Sequence, residues 1–166
     1  AAIAQGRGAR IHANEPQEHR LDLVAASVEP WEDTVALRLG DGRELGVQEP
    51  NAYDRVLVDA PCSGLGALRR RPEARWRKDP KDIPGLAKLQ RQLLASAFKA
   101  LRPGGALVYS TCSPVLAETR DVVRDFLAAH GRAKLLDAGE VANRVAIRDV
   151  SARDGMVRVN GWRDGA

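Results

Sequence analysis

The 166-residue chain has only two cysteines, Cys62 and Cys112, a single methionine, Met156, and no long apolar run. Two cysteines cannot build a disulfide framework, and zinc ligands normally come in pairs about two to four residues apart, so no metal is expected. No stretch approaches the roughly 20 apolar residues of a membrane helix, so no membrane association is expected. The start, Ala1-Ala2-Ile3, has no initiator methionine, and no charged segment followed by an apolar one stands where a signal peptide would. The expected address is cytoplasmic, and the missing methionine is read as truncation.

Hydrophobic residues make up 44% and charged residues 29%, ordinary values for a folded domain. The length suits one domain with its own core. The net charge of +4 is local: residues 69–81 (RRRPEARWRKDPK) hold seven basic and two acidic groups, +5 in one stretch. Most of these are arginines, whose guanidinium groups grip phosphate bidentately and stack on bases, so a phosphate-bearing partner is favoured over a merely solvated surface.

Short apolar runs alternate with helix-period segments, the pattern of an α/β fold. Expected strands are Ala9–Asn14, Thr34–Leu39, Arg55–Val58 and Ala106–Ser110, with weaker ones at Ala133–Leu136 and Met156–Val159. Expected helices run from Pro16 to about Val28, from Pro84 to Leu101 and from Val115 to His130, and Pro103-Gly104-Gly105 punctuates the second. Continuous apolar strands such as Arg55–Val58 suit a parallel sheet covered on both faces.

Both cysteines fall just past the carboxyl end of an expected strand, in Asp59-Ala60-Pro61-Cys62-Ser63-Gly64 and in Ser110-Thr111-Cys112-Ser113-Pro114. Ligands of open parallel sheets bind at those ends, so if the two strands are neighbours both thiols and Asp59 face one cleft. A lone cysteine is more often a small buried hydrophobe, but two in matched contexts point to chemistry.

These loops resemble the hallmark motifs of the RNA (cytosine-5) methyltransferases of the Sun/Nop2 family, its bacterial ribosomal small-subunit members above all. Leu65-Gly66, Arg71-Pro72, Trp76 and Leu89-Gln90 extend the resemblance, which covers about residues 1 to 130. The resemblance implies transfer of a methyl group from S-adenosyl-L-methionine to cytosine carbon 5 in RNA, with 16S ribosomal RNA the expected substrate and the parent protein a monomer. Cytosine carbon 5 is a weak nucleophile until a group adds at carbon 6, and a thiolate suits that reversible addition. By resemblance Cys112 is the nucleophile, Cys62 helps remove the carbon 5 proton and Asp59 hydrogen-bonds the cytosine. In DNA cytosine methyltransferases the Pro-Cys cysteine is itself the nucleophile, so local sequence alone does not divide the roles.

On the cofactor side, Glu15 ends a strand where an acidic residue would hold ribose hydroxyls, with helix capping as the plain alternative. Asp41 matches the family position facing adenine, or is simply part of the Gly40-Asp41-Gly42 turn. Asp59 and Pro61 complete the expected cofactor set, and Arg20 matches a further family position. Arg69, Arg70, Arg71, Arg75 and Trp76 are expected to face RNA, the tryptophan stacking on a base or packed beneath its loop. The implied fold is a Rossmann-like methyltransferase fold, a mostly parallel sheet with helices on both faces. The family's first strand and Gly-rich loop are not found, since Gly6 and Gly8 precede a strand rather than follow one. The whole chain is therefore expected to be a partial catalytic domain, poorly soluble or self-associating by itself. The competing readings are a non-catalytic RNA-binding module of the same fold and a thiol redox protein, the latter without a Cys-X-X-Cys motif.

Overall fold

The computed structural model describes residues 1–68, 70–76, 78–144, 152–153 and 156–157. It forms two compact units, residues 1–123 and 124–166.

The first unit is built from two strand-helix-strand crossovers. Helix α1 (Ala2–Gly6) precedes β1 (Ile11–Glu15), α2 (Glu18–Val28) and β2 (Val35–Leu39). β1 and β2 pair in parallel from Ile11 opposite Val35 to Glu15 opposite Leu39, and α2 packs on both. The short helix α3 (Leu45–Gln48) leads to β3 (Tyr53–Asp59), and the long helix α4 (Ile83–Ala100) returns the chain to β4 (Leu101–Ser110). β3 and β4 are parallel neighbours, so the second crossover brings the two cysteine-bearing strand ends to one edge. Parallel pairing needs such a helical return, because a tight turn can join only antiparallel strands. The two pairs are separate sheets. His12 of β1 and Tyr53 of β3 touch edge to face at 5.3 Å, with the phenol oxygen 3.3 Å from the imidazole Nδ1.

The core of this unit lies under α4. Ala87, Gln90, Leu94, Ala97 and Ala100 recur every three or four residues on its buried face, which packs on β3 and β4. Small residues let α3 approach closely: Gly46 donates its N–H to Ser96 Oγ at 2.9 Å, and a Cβ there would lie 2.3 Å from the Ser96 carbonyl oxygen. Among the described residues the apolar run of β3 is covered on one side only, by α4, where cover on both faces was expected. Leu57 and Val108, paired across the two strands, are 66% and 53% exposed.

The segment at residues 103–105 differs from expectation. The helix ends at Ala100 and β4 begins at once, with Pro103-Gly104-Gly105 forming a bulge inside it. Tyr53 pairs with Leu101 but Arg55 with Ala106, and Gly104 takes the bend at φ +80°. The last expected helix also starts late. Residues Leu116–Glu118 form a 3₁₀ turn and α5 spans Arg120–Ala129, because Thr119 (φ −123°, ψ −95°) breaks the helical path. That break turns Glu118 into the interior, where it is fully buried.

In the second unit no strand forms over residues 133–136. Leu135 and Leu136 are more than half exposed, and they are followed by α6 (Ala138–Asn143), capped by Asp137 Oδ1 on the N–H groups of Gly139 and Glu140. A strand needs a partner, and among the described residues that stretch has none. β5 (Ala152–Arg153) and β6 (Met156–Val157) pair antiparallel. The strand expected over Met156–Val159 is thus present at its first two residues, and the last two lie outside the described residues.

Candidate active site

The carboxyl ends of β3 and β4 are in register, Asp59 opposite Ser110, and Ala60 N–H donates to the Ser110 carbonyl at 2.9 Å. From there the two loops run side by side. Cys62 Sγ and Cys112 Sγ lie 3.2 Å apart as free thiols, with Cys112 exposed and Cys62 half-buried. Partial burial of the Cys112 sulfur, then the hydrogen bond and charge of Cys62, and beyond them Asp59, push its thiol above the ordinary cysteine range. Asp59 itself is exposed at the end of β3. The Cys112 carbonyl accepts the Gly66 N–H at 2.8 Å, closing the two loops on each other a second time.

Beneath the thiols lies a polar cluster that the sequence analysis did not single out. The Glu118 carboxylate accepts the Ser63 N–H at 2.8 Å through Oε1, and both the Ser63 and Ser113 hydroxyls at 2.5 Å through Oε2. Gln90 Nε2 donates to the Pro61 carbonyl at 2.9 Å and to Glu118 Oε1 at 3.2 Å. Burial alone would raise the Glu118 pKa, but the hydrogen bonds from Ser113, Ser63 and Gln90 outweigh it and hold the carboxyl below the usual range. Tyr109 Oη donates to the Glu118 carbonyl at 2.7 Å, and burial pushes that phenol upward. One signal was present in the sequence: Gln90 is a polar residue inside the apolar stripe of α4, and such a residue is buried only with partners.

At the other strand pair, Glu15 ends β1 and its carbonyl accepts the Gly40 N–H at 3.1 Å, so Glu15 and the Asp41 turn share one edge. Glu15 Oε1 accepts the Gln17 N–H at 3.2 Å, and Oε2 lies 3.6 Å from Arg20 Nε. Glu15 thus holds the backbone just ahead of α2, whose N-cap Gln17 makes no side-chain capping bond, and faces Arg20 as well. Asp41 accepts the Arg43 N–H in a local turn and faces the Arg43 guanidinium at 2.5 Å, a hydrogen bond that lowers its pKa. Both its oxygens are engaged there.

Arg70, Arg71, Arg75 and Trp76 are all exposed, in turns that follow the cysteine loop, and Arg69 lies outside the described residues. Trp76 is 84% exposed, which overturns the alternative of a tryptophan packed under its loop, and the Arg75 guanidinium lies 5.5 Å from its ring centroid. Among the described residues nothing covers the indole, and the arginine stands against its ring. Among the described residues, no group of three or more His, Cys, Asp or Glu could hold a metal, and no helix is long and apolar enough to cross a membrane.

Comparison with known proteins gives one consistent result. The family model described as 16S rRNA methyltransferase RsmB/F matches residues 1–157. The Mycobacterium tuberculosis protein Rv1407 is 55% identical over 122 residues, covering 74% of this chain and 26% of its own. The ribosomal RNA small subunit methyltransferase F of Serratia proteamaculans is 40% identical over 134 residues, covering 80% of this chain and 28% of its own. Among solved structures, NSun6 from Pyrococcus horikoshii with SFG superposes with a TM-score of 0.64 at 31% identity, covering 72% of this chain and 30% of that one. The chain thus spans between a quarter and a third of the length of these relatives.

Proposed function

Because the chain belongs to the 16S rRNA methyltransferase RsmB/F family, we propose that it carries the reacting groups of an S-adenosyl-L-methionine-dependent RNA (cytosine-5) methyltransferase acting through a cysteine adduct. The observation that carries this reading is the thiol pair, Cys62 and Cys112 at 3.2 Å, beside Asp59 at one edge of two parallel strands. Relatives named as ribosomal RNA small subunit methyltransferases F and B, and one named as a tRNA (cytosine(34)-C(5))-methyltransferase, support RNA as substrate. Of these, 16S ribosomal RNA in the cytoplasm is the substrate proposed.

In this reading the Cys112 sulfur forms a bond to cytosine carbon 6, which makes carbon 5 electron-rich. Asp59 hydrogen-bonds the ring nitrogen and amino group and stabilises the charge that develops. After carbon 5 is methylated, Cys62 helps take its proton and the bond from carbon 6 to Cys112 breaks, restoring the aromatic ring. The raised Cys112 pKa means that its proton must leave before attack, and the facing sulfur of Cys62 stands where that proton is shared. The target base must leave its stack to reach two loops at a strand edge, so single-stranded or flipped cytosine is the form bound.

The residues present fit the nucleoside cofactor in part. Glu15 offers a carboxylate at the end of β1, and Asp59 and Pro61 lie at the end of β3, the edge at which parallel α/β sheets bind nucleotides. Asp41 already takes three N–H donors of Arg43 and keeps acceptor capacity for one more. When bound, the cofactor supplies the methyl group. Arg70, Arg71, Arg75 and Trp76, with Arg69 beside them in sequence, would take up RNA phosphates and one stacked base. In the same reading residues 1–166 are part of a single catalytic domain of a longer protein.

The test is covalent capture. The parent protein containing this chain is incubated with ribosomal RNA and S-adenosyl-L-methionine and resolved on a denaturing gel. An adduct that accumulates in Cys62→Ala and disappears when Cys112 is also replaced is expected. Methylation at the parent rate by both single variants, with no adduct, refutes the cysteine route, and an RNA complex without methyl transfer by the parent moves a binding module ahead.

A further inference from the structure

Glu118 is fully buried, yet its partners are uncharged groups: one backbone N–H, two hydroxyls and one amide. A buried carboxylate is costly unless its lone pairs are filled, and a carboxylate has about four acceptor sites. Here four donors fill them, drawn from three separate segments of the chain. Two of those segments are the cysteine loops. Ser63 follows Cys62 and Ser113 follows Cys112, so each cysteine Cα stands one peptide step, about 3.8 Å, from a residue held by this carboxylate. The two serine hydroxyls lie 3.0 Å apart over Oε2, and the thiols, one residue back on each strand end, lie 3.2 Å apart.

We infer that Glu118 is a positioning residue for the thiol pair: its carboxylate pins the two cysteine loops together, and Gln90 braces the first through the Pro61 carbonyl. This rests on the reading that the two thiols are the reacting pair, but it concerns how they are held and its test uses neither RNA nor cofactor. Removing the carboxylate takes the shared acceptor from Ser63 N–H and from both serine hydroxyls, leaving the loops joined at the residues after the cysteines only by the contact of those two hydroxyls. Glutamine at this position keeps most of the arrangement. Its amide oxygen can accept from Ser63 N–H and Gln90, and its NH₂ can donate to the two hydroxyls, which rotate to accept.

The rate of coupling between the thiols measures their encounter. The oxidant diamide takes two electrons and two protons from the Cys62 and Cys112 thiols, forming one disulfide and the corresponding hydrazine. Coupling in the full chain would be followed as the loss of free thiols under native conditions, at several protein concentrations to isolate the intramolecular rate. Glu118→Ala is expected to slow it about tenfold or more, since ångström-scale misplacement of reacting groups costs factors of this order or larger. Glu118→Gln is expected to stay within about threefold of the parent. Val122→Ala truncates a fully buried apolar residue of α5, which has no side-chain hydrogen bond to offer either loop, and controls for lost stability. Ser113→Ala removes only the tie of the Cys112 loop to Glu118 and serves if Glu118→Ala does not fold, with slowing of several-fold expected. Parent-like coupling in Glu118→Ala or, if that variant does not fold, in Ser113→Ala overturns the assignment. So does equal slowing in Val122→Ala. Slow coupling in the variants together with no methylation by the parent enzyme would sink the enzymatic reading and leave this one standing.

Discussion

Gly66 offers a direct probe of how the two loops meet. It lies four residues past Cys62, and its N–H reaches the Cys112 carbonyl at 2.8 Å. A methyl group added by Gly66→Ala would sit 2.6 Å from that oxygen and 3.2 Å from its carbon. Ordinary contact begins near 3.4 Å, so the Cys112 loop has to retreat by about 0.8 Å. The obstacle is backbone, which cannot rotate aside as a side chain would. Overpacking costs about 1–3 kcal/mol and the weakened hydrogen bond about 1 kcal/mol more, giving a loss of about 2–4 kcal/mol. With a urea slope of about 1–3 kcal/mol per molar, the denaturation midpoint should fall by about 1 M or more. The retreat carries the Cys112 sulfur with it, so thiol coupling should slow in parallel. Two controls separate the causes. Gly85→Ala, in α4 with open space around it, should gain about 0.5–1 kcal/mol from helix propensity. Gly64→Ala also meets no atom, but Gly64 has φ +71°, so it should cost about 1–2 kcal/mol in backbone strain alone. If Gly66→Ala unfolds at the parent midpoint and couples its thiols at the parent rate, the close approach of the two loops is not as described.

Further expectations concern charge and exposure. The Glu118 carboxyl is held below the usual carboxylate range, so its contribution to stability is complete above the pKa of an unfolded glutamate, about 4.3, and drains away as pH falls through the lower folded value. A urea series against pH should show this slope in the parent and a shallower one in Glu118→Gln, where the lowered Asp41 still contributes. A parallel slope in that variant would place the proton elsewhere. Because the Cys112 thiol is raised, its alkylation by iodoacetamide, read by peptide mass, should keep climbing with pH beyond the range of an ordinary cysteine. A plateau below pH 8 would contradict that environment. Trp76→Ala removes an 84% exposed ring, so the melting temperature should not change. RNA affinity should fall by about 1–3 kcal/mol, the scale of one base stacked on an aromatic ring. Loss of fold without loss of affinity would show that Trp76 packs rather than binds.

The order of strands and helices was legible because it depends on local signals. Apolar runs at Thr34–Leu39 and Arg55–Val58, the 3.6-residue stripe of α4 and the glycine and proline breaks each act over a few residues. The motifs Asp59–Gly64 and Ser110–Ser113 carried the family resemblance for the same reason, each being a short run of particular residue types just past a strand end. Local signals erred where pairing decided. Pro103-Gly104-Gly105 has the composition of a helix stop and loop, yet the partner strand holds it inside β4 as a bulge. Leu135 and Leu136 close an apolar stretch expected as a strand, and among the described residues no strand pairs with it.

Tertiary structure alone decided which residues stand beside which. That Cys62 and Cys112, 50 positions apart, meet at 3.2 Å follows from parallel pairing of β3 with β4, which sets both carboxyl ends on one edge. That Glu118 underlies them follows from a broken helix turn that a propensity reading smooths into one long helix. A sequence states which groups can react, because reactivity belongs to the side chain. Distance, burial and the sharing of protons belong to the space between segments, and that space exists only once the chain has folded.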